Sequence, residues 1–183
     1  MPALPETDMH SIKANWKHPT DIRFGLYRIN ELPDICWELG ISNPLLVSDQ
    51  GVSGLPFFTG MIEQAQKESI YPGVFSEISG EPGVECVKNG ALAFREGGFN
   101  GLIAVGGGSA LDAAKAIALA VCVGPSRLWL YTAGECSGPP LARPIPPIIA
   151  VPTTSGTGSE VDANAVITEA DGKRKVSIFH SEL

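Results

Sequence analysis

An apolar run that leads directly into three glycines and then into an alanine-rich segment constrains the fold more than any other feature. Residues 101–105 read as a buried strand, Gly106, Gly107 and Gly108 follow it, and residues 110–123 have the composition of a buried helix. Glycines at such a junction let the backbone adopt positive φ and approach a ligand closely. The free amides of the helix start suit a pyrophosphate. The alternative is a plain tight turn, but three consecutive glycines cost more conformational entropy than a turn requires.

The residues after the glycines predict how the helix begins and disfavour one class of nucleotide-binding loop. Ser109 is a good N-cap residue, and Asp112 resembles the acidic partner of a capping box. No Gly-Lys-Ser/Thr ending follows, which disfavours a nucleoside-triphosphate loop. The ordinary dinucleotide fingerprint fits only in part, because Leu111 occupies the place of its third glycine. The glycine bend is therefore predicted to bind phosphate, with the class of nucleotide left open.

Strand-like and helix-like segments alternate along the rest of the chain. The pattern predicts strands at 20–25, 44–49, 74–78, 101–105 and 148–151, helices at 29–39, 57–69, 85–97 and 110–123, an irregular surface excursion at 125–147, and closing strands at 165–167 and 175–179. Such alternation indicates an α/β fold, a Rossmann-like parallel sheet with helices on both faces. Sheets of this kind bind ligands at the carboxyl ends of their strands.

An acidic residue, Asp49, ends the apolar segment 44–49. A carboxylate in this position can accept both hydroxyls of an adenosine ribose and would repel the 2′-phosphate of NADP. In the ordinary Rossmann arrangement, however, this acid follows the glycines, and here it precedes them. From sequence order alone, a helix cap or turn residue is the competing interpretation.

A loop rich in hydroxyl groups follows the predicted strand at 148–151. Residues 152–160 read PTTSGTGSE and include Thr153, Thr154 and Thr157. This density of hydroxyl and backbone donors suits phosphate, ribose or amide groups. The alternative is a turn that caps the next element.

Composition excludes several other classes of function. The net charge of -7 argues against a sequence-independent hold on nucleic acid, and the basic residues 173–175 are on their own as consistent with a solvated loop as with a binding site. No apolar run reaches about 18 residues, so we expect no membrane span. The N-terminus lacks the apolar stretch of a secretory signal.

The cysteines and histidines do not predict a metal site. The four cysteines lie far apart without a C-x-x-C pair, which favours reduced thiols in a cytoplasmic protein: Cys36, Cys86, Cys122 and Cys136. No two of the three histidines are spaced as a ligand pair, and His180 is expected at a strand end: His10, His18 and His180.

Taken together, the motifs resemble those of the iron-containing (group III) alcohol dehydrogenases. Residues 106–109 (GGGS) with 112–115 (DAAK) are similar to that family's glycine motif, and 152–161 (PTTSGTGSEV) to its threonine motif. Residues 23–25 (RFG) and 44–49 (PLLVSD) complete the likeness, which covers nearly all of residues 15–183.

The resemblance implies a dinucleotide-binding domain like the N-terminal domain of dehydroquinate synthase, with NAD favoured over NADP. It implies that Asp49 meets the adenosine ribose, that the glycine bend meets the pyrophosphate, that three threonines line the cofactor cleft and that a lysine reaches the cofactor ribose. The implied cofactor-binding residues are Asp49, Gly106, Gly107, Gly108, Ser109, Asp112, Thr153, Thr154, Thr157 and Lys175.

Two departures from the family pattern affect these expectations. Where the family commonly has P-N-P-T, residues 80–83 read GEPG, so Glu81 replaces an asparagine that would contact the cofactor, and its charge could weaken dinucleotide binding. The second departure is length. We expect a leader at 1–15 and an NAD(P)-binding α/β domain at 16–183, with the helical domain that carries Fe²⁺ or another divalent metal absent from the sequence.

The function implied is hydride transfer between an alcohol or aldehyde and nicotinamide, with a metal polarising the substrate oxygen. For this chain we expect a cofactor-binding half that does not turn over alone, in a homo-oligomer without nucleic-acid or membrane partners. Two alternatives stay open: a short binding or regulatory module, and an enzyme related to glycerol dehydrogenase or dehydroquinate synthase. The TSGTGSE sequence at 154–160 favours the alcohol dehydrogenases.

Overall fold

The computed structural model describes residues 20–132, 138–169, 172 and 174–183. The expected leader, His10, His18 and Cys136 lie outside these residues. The strands are β1 (Pro44–Asp49), β2 (Gly73–Ile78), β3 (Gly101–Gly106), β4 (Ile148–Pro152), β5 (Asn164–Thr168) and β6 (Lys175–Phe179). The α-helices are α1 (Leu32–Glu38), α2 (Gln50–Ser53), α3 (Pro56–Lys67), α4 (Val84–Glu96) and α5 (Gly108–Val123), and two 3-10 helices span Arg28–Glu31 and Pro125–Tyr131.

A four-stranded parallel sheet in the order β2-β1-β3-β4 forms the centre of the fold. Its inner strands β1 and β3 are buried almost throughout, as their apolar sequences predict. Successive side chains point to opposite faces, so Val47 packs in the core with α4 and α5, and Leu46 in the core with α1 and α3. The predicted α/β sheet with helices on both faces is confirmed.

Helix α5 is the most buried helix, and every residue from Ala110 to Val121 is buried. The sheet covers one side of it. On another side lies the antiparallel hairpin β5–β6, whose Ala165, Ile167 and Ile178 belong to the same core. The predicted closing strands therefore exist, but they form a separate two-stranded sheet.

At the amino ends of the strands, two asparagines connect the loops. The Asn100 side-chain oxygen accepts from the backbone amides of Ser42 (3.2 Å) and Asn43 (2.9 Å), and its amide donates to the Gly40 carbonyl (2.9 Å). The Asn43 amide donates to the Gly97 carbonyl at 3.1 Å. These bonds satisfy polar backbone groups where the loops turn back into the sheet.

One prediction for the first described residues was wrong, and another was confirmed with a 3-10 turn at its start. Residues 20–24 form no strand: Arg23 reaches Glu31 and Glu38 with its side chain, and Phe24 is 93% exposed. The helix predicted at 29–39 begins as a 3-10 turn and becomes α-helical only at Leu32, with proline in its first turn, where a missing amide costs least.

The prediction for 125–147 was wrong in part. Residues 125–131 form a 3-10 helix whose Leu128 and Tyr131 are buried against the core. Ile145 is buried as well, so the described parts of this segment, residues 125–132 and 138–147, cover the core with some side chains and expose others.

In the part of the chain that the structure describes, no single helix is long and apolar enough to cross a membrane. Helix α5 and the following 3-10 helix pass a length and composition criterion only as a pair, bent by 107°.

Candidate functional site

The chain reverses its direction of travel across the sheet between β1 and β3. From β1 it runs to β2 on one side, and it then crosses to β3 on the other side of β1. At such a switch point, the connections that leave the carboxyl ends of the two neighbouring strands run in opposite directions. They leave a crevice between them, where open α/β sheets bind ligands. Asp49 ends β1, Gly106 ends β3, and Thr153 directly follows β4.

The glycine bend connects β3 to α5 at this crevice. Gly106 has φ of +151°, which a residue with a side chain rarely adopts, and its carbonyl accepts from the Thr153 amide at 2.9 Å. The first backbone bonds of the helix run from the amides of Ala110 and Leu111 to the carbonyl of Gly107. The amides before them precede the helical ladder and are available to a ligand.

The N-cap prediction was wrong, because the helix begins earlier than the sequence suggests. Gly107 is the N-cap residue, without a side-chain cap bond, and Ser109 already lies inside the first turn. Asp112 is therefore not the acid of a capping box. Its Oδ2 instead accepts from the Val166 amide of β5 at 3.1 Å, which ties α5 to the hairpin.

Space at the bend exists only because the glycines have no side chains. A Cβ on Gly107 would lie 3.2 Å from Oγ1 of Thr154, and a Cβ on Gly108 would lie 2.8 Å from Cγ2 of Thr157. The glycine bend and the hydroxyl-rich loop of residues 152–160, here called the threonine loop, therefore face each other at close range. A phosphate group could contact main-chain amides here where any larger residue would fill the gap.

Asp49 caps a helix, one of the two roles that the sequence left open, and it also faces the crevice. Its Oδ1 accepts from the Val52 amide at 2.9 Å and caps α2. Its Oδ2 lies 3.4 Å from the position of a Cβ on Gly106, so it faces the glycine bend. Capping one helix thus orients the carboxylate toward the crevice.

The threonine loop is held by backbone turns. The Gly158 carbonyl accepts from the amides of Val161 (3.0 Å) and Asp162 (3.1 Å), and Gly158 has φ of +73°. Thr157 accepts from the Ser159 amide at 3.3 Å. The hydroxyl-bearing side chains remain on the exposed face, as a ligand-binding loop requires: Thr153, Thr154 and Thr157.

Asp112 is a buried acid with one oxygen unsatisfied. The residue is 8% exposed, and within the described residues no hydrogen-bond partner reaches its Oδ1. Burial raises the pKa of this carboxyl above its usual range, against the lowering effects of the Val166 amide, the Ser159 hydroxyl and the Lys115 charge. An unsatisfied buried oxygen is costly, and a hydrogen-bond donor in the adjoining cavity would lower that cost.

Lys115 was not predicted as a site residue, but it holds the loop in place. Its buried ammonium donates to the carbonyl and the carboxylate of Asp162 (2.6 and 2.7 Å) and to the Asn164 carbonyl (3.0 Å). It therefore fastens the end of the threonine loop to α5. The DAAK sequence at 112–115 contains this lysine, but nothing in the pattern specifies a partner 47 residues further on.

Lys175 is a predicted site residue that already has a partner in the structure. It begins β6, its side chain is 62% exposed, and its ammonium forms an ion pair with Glu81 Oε1. Glu81 lies in the β2–α4 loop. The two residues singled out separately in the sequence are thus direct partners.

A cavity of about 300 Å³ brings together four of the ten predicted site residues, Gly108, Ser109, Asp112 and Thr157, whereas the other six are not part of its lining. It is lined by Glu81, Pro82, Gly108, Ser109, Asp112, Thr157, Ser159, Asp162, Asn164 and Val166. Backbone amides, hydroxyls and one unsatisfied carboxyl oxygen converge there, a donor and acceptor set that fits the phosphate, ribose and amide groups of a dinucleotide.

The described residues do not fit a metal ion. No group of three or more His, Cys, Asp or Glu side chains among them is placed to hold one. The three cysteines in this part of the chain are free, and burial raises the pKa of Cys36 and of Cys86 to about 11, so both stay as thiols at neutral pH.

Comparison with known proteins agrees with this geometry. The sequence is 39% identical over 162 residues to 4-hydroxybutyrate dehydrogenase of Cupriavidus necator, a match that covers 88% of this chain and 41% of that protein. It is 37% identical to choline dehydrogenase of Bacillus subtilis (strain 168), over 86% of this chain and 39% of the relative. The chain thus spans about two-fifths of the length of the curated relatives it matches.

Solved structures share the fold. Sulfoacetaldehyde reductase from Bifidobacterium kashiwanohense, in complex with NAD+, superposes with a TM-score of 0.80 at 28% identity, covering 93% of this chain and 44% of that one.

The sequence model of the iron-containing alcohol dehydrogenases matches residues 19–183. The family and these relatives are oxidoreductases. The match extends over nearly the whole chain and includes the glycine bend, the threonine loop and Asp49, and it confirms the resemblance seen in the sequence. The chain belongs to the iron-containing alcohol dehydrogenase family.

Proposed function

We propose that this chain is the NAD-binding part of a metal-dependent alcohol dehydrogenase that transfers hydride between an alcohol or aldehyde and nicotinamide. The observation that carries the proposal is the convergence of Asp49, the glycine bend and the threonine loop at the switch point of the sheet. The NAD+ complex of the similar reductase supports the choice of cofactor. In this proposal the pyrophosphate binds the free amides of residues 107–109.

The proposal favours NAD over NADP because of Asp49. Its Oδ2 faces the crevice while its Oδ1 is held by the Val52 amide, so the carboxylate has one fixed orientation. A carboxylate in this position binds the two hydroxyls of a ribose and repels a 2′-phosphate.

The proposal for the 183-residue chain itself is cofactor binding without turnover of alcohol. Metal-dependent hydride transfer needs a divalent ion at the substrate oxygen, and the described residues do not provide a ligand set for one. We therefore assign the chain's residues to binding and orienting the dinucleotide.

NADH fluorescence titration of the purified chain tests the binding proposal. Gly107→Val would fill the bend against Thr154, and we expect it to weaken NADH binding at least about tenfold, since the amides become inaccessible. Gly60→Ala is the matched control, because a Cβ there meets nothing within 4 Å. Absence of NADH binding by the wild-type chain, or wild-type affinity in the valine variant, would refute the proposal and leave a short binding module as the better interpretation.

Alcohol oxidation by the same purified chain tests the second part. With Fe²⁺ or Zn²⁺, NAD+ and a panel of short alcohols that includes 4-hydroxybutyrate, we expect no NADH above the protein-free control. Steady production of NADH, abolished by Gly107→Val, would show that the chain is competent alone.

We also propose a cytoplasmic homo-oligomer. Three free cysteines among the described residues suit a reducing compartment. The side chains of Phe24, Leu26 and Tyr27 are 93%, 90% and 80% exposed, an apolar surface that self-association would cover. Sedimentation velocity of the wild type and of a Phe24→Ser/Leu26→Ser variant tests this: we expect the variant to be more monomeric, and identical monomer profiles would contradict self-association.

A further inference from the structure

We propose that Glu81 competes with the dinucleotide for the Lys175 ammonium, so that the ion pair between them must open when the dinucleotide binds. The inference rests on the proposed function and adds an opposing residue to it. Glu81 would lower the affinity of the site for the dinucleotide, whereas the predicted cofactor-binding residues would raise it.

The position of Glu81 is the first support. It lines the same 300 Å³ cavity as Gly108, Ser109 and Thr157, so its carboxylate lies at the edge of the space assigned to phosphate. A dinucleotide carries two negative charges on its pyrophosphate. A carboxylate at this edge therefore opposes binding unless a cation compensates it.

The position of Lys175 is the second support. Its ammonium is bound to Glu81, while its side chain lines a neighbouring cavity of about 470 Å³ together with Trp129, Thr132 and Arg174. Each partner of the pair lines a different cavity, so the ion pair connects the two cavities. A ligand oxygen that reaches Lys175 from the first cavity would therefore meet Glu81 at the ammonium.

The energetics favour a pair that can open. The side chains of Glu81 and Lys175 are 45% and 62% exposed, and ion pairs as exposed as this are weak. A ligand oxygen can replace the carboxylate as the partner of the ammonium at little cost. The competition should therefore reduce affinity by about two- to fivefold, the range of a single exposed pair.

The loop that carries Glu81 does not depend on the ion pair for its position. The Thr168 amide donates to the Pro82 carbonyl at 2.9 Å, and Gly83 forms a bridge with the same residue. These main-chain contacts fasten the loop to β5. Removal of the Glu81 charge should thus free Lys175 without displacing the loop.

A double-mutant cycle with NADH fluorescence titration tests the competition. We expect Glu81→Gln to tighten NADH binding about two- to fivefold, since it frees Lys175 and removes a negative charge. We expect Lys175→Met to weaken binding more in the Glu81→Gln background than in the wild type, where Glu81 already occupies the lysine. A purely structural role for the pair would not produce this dependence on background.

Glu85→Gln is the matched control. Glu85 pairs with Lys88 at 3.3 Å in the first turn of α4, is absent from the cavity lining, and has the same charge as Glu81. We expect its NADH affinity to equal that of the wild type. Thermal unfolding of each variant verifies folding, and Glu81→Ala provides a second replacement.

Three outcomes would overturn the inference. Unchanged or weaker NADH binding by Glu81→Gln would show that Glu81 does not oppose the ligand. An equal gain in the wild-type and Lys175→Met backgrounds would show charge repulsion without competition for the lysine. Failure of every variant to bind NADH would refute the proposed function as well, whereas the first two results leave it intact.

Discussion

Asp49 shows how one side chain can cap a helix and also face a predicted binding site. Its Oδ1 caps α2 through the Val52 amide, and its Oδ2 faces the glycine bend. The sequence offered these roles as alternatives because residue order cannot show that two oxygens of one carboxylate point to different neighbours.

Asp49→Asn separates the two roles. Asparagine is as good an N-cap as aspartate, so we expect the free energy of unfolding to change by less than about 0.5 kcal/mol. NADH binding should weaken roughly tenfold or more, because a charged hydrogen-bond acceptor for the ribose is lost. NADPH should bind relatively better. Titration with both nucleotides measures this, with the exposed Asp34→Asn as control, and an unchanged NADH-to-NADPH ratio would contradict the assigned role.

Asp112 leads to a prediction about pH. Burial raises the pKa of its carboxyl in the folded chain, so the folded state binds more protons than the unfolded state above the ordinary carboxyl pKa. The contribution of this group to stability therefore falls as pH rises from about 4 through the raised pKa.

Asp112→Asn cannot titrate and keeps an acceptor for the Val166 amide. We expect its free energy of unfolding, relative to the wild type, to increase as pH rises across that window. Urea unfolding of both proteins at several pH values between about 4 and 8 measures the difference. A difference independent of pH would mean that the carboxyl titrates alike in the folded and unfolded chain.

At the scale of elements, a glycine determines how closely α4 packs against α5. A Cβ on Gly90 of α4 would overlap the Ile117 side chain of α5, with Cγ1 only 2.7 Å away, whereas a Cβ on Gly60 of α3 meets nothing within 4 Å. Both glycines lie inside helices, where glycine is unfavourable in itself. Only at Gly90 does close packing against a neighbouring helix exclude a larger residue.

The same substitution should therefore have opposite effects in the two helices. We expect Gly90→Ala to lower the free energy of unfolding by about 1–3 kcal/mol through overpacking. Gly60→Ala should raise it by about 0.5–1 kcal/mol through helix propensity. Urea denaturation decides both, and a stabilising Gly90→Ala would show that α4 can move away from α5.

The elements were predictable where hydrophobic pattern alone determines them. The apolar segments at 44–49 and 101–105 became the two inner strands, and the uniformly apolar 110–121 became the most buried helix. Prediction failed where a partner far along the chain decides the outcome. Residues 20–24 alternate like a strand but pair with no strand among the described residues, and Asp112 bonds to Val166 instead of its own helix.

At the scale of the whole molecule, the edge of the sheet at which the predicted site residues lie was predictable, but the ion pairs around them were not. Asp49, the glycines and the threonines were expected to meet because strand ends of a parallel sheet share one edge. The ion pair of Glu81 with Lys175 was not, because 94 residues separate its partners and no local pattern encodes the contact. The same holds for Lys115 and Asp162.

Dinucleotide binding should stabilise the molecule as a whole, because the proposed site brings together residues distant in sequence and exists only in the folded chain. At a free NADH concentration of 100 times the dissociation constant, we expect a gain of about 2.7 kcal/mol in the free energy of unfolding. This corresponds to an increase in Tm of roughly 5–10 °C. Differential scanning fluorimetry measures it, with Gly107→Val as the control whose Tm should rise less at the same NADH concentration because it binds NADH more weakly. A wild-type Tm independent of NADH would contradict binding to the folded chain.

The asparagine bonds at the amino ends of the strands have a practical consequence. There the Asn43 and Asn100 amides and the carbonyls of three glycines are already engaged with one another, so this rim of the sheet offers little for a small molecule to recognise. Substitutions at the amino ends of the strands should change the Tm of the chain and leave its preference between NADH and NADPH unchanged. A redesign of the chain for a different nucleotide can therefore change residues at the carboxyl ends of the strands and keep the asparagine-bonded amino ends unaltered.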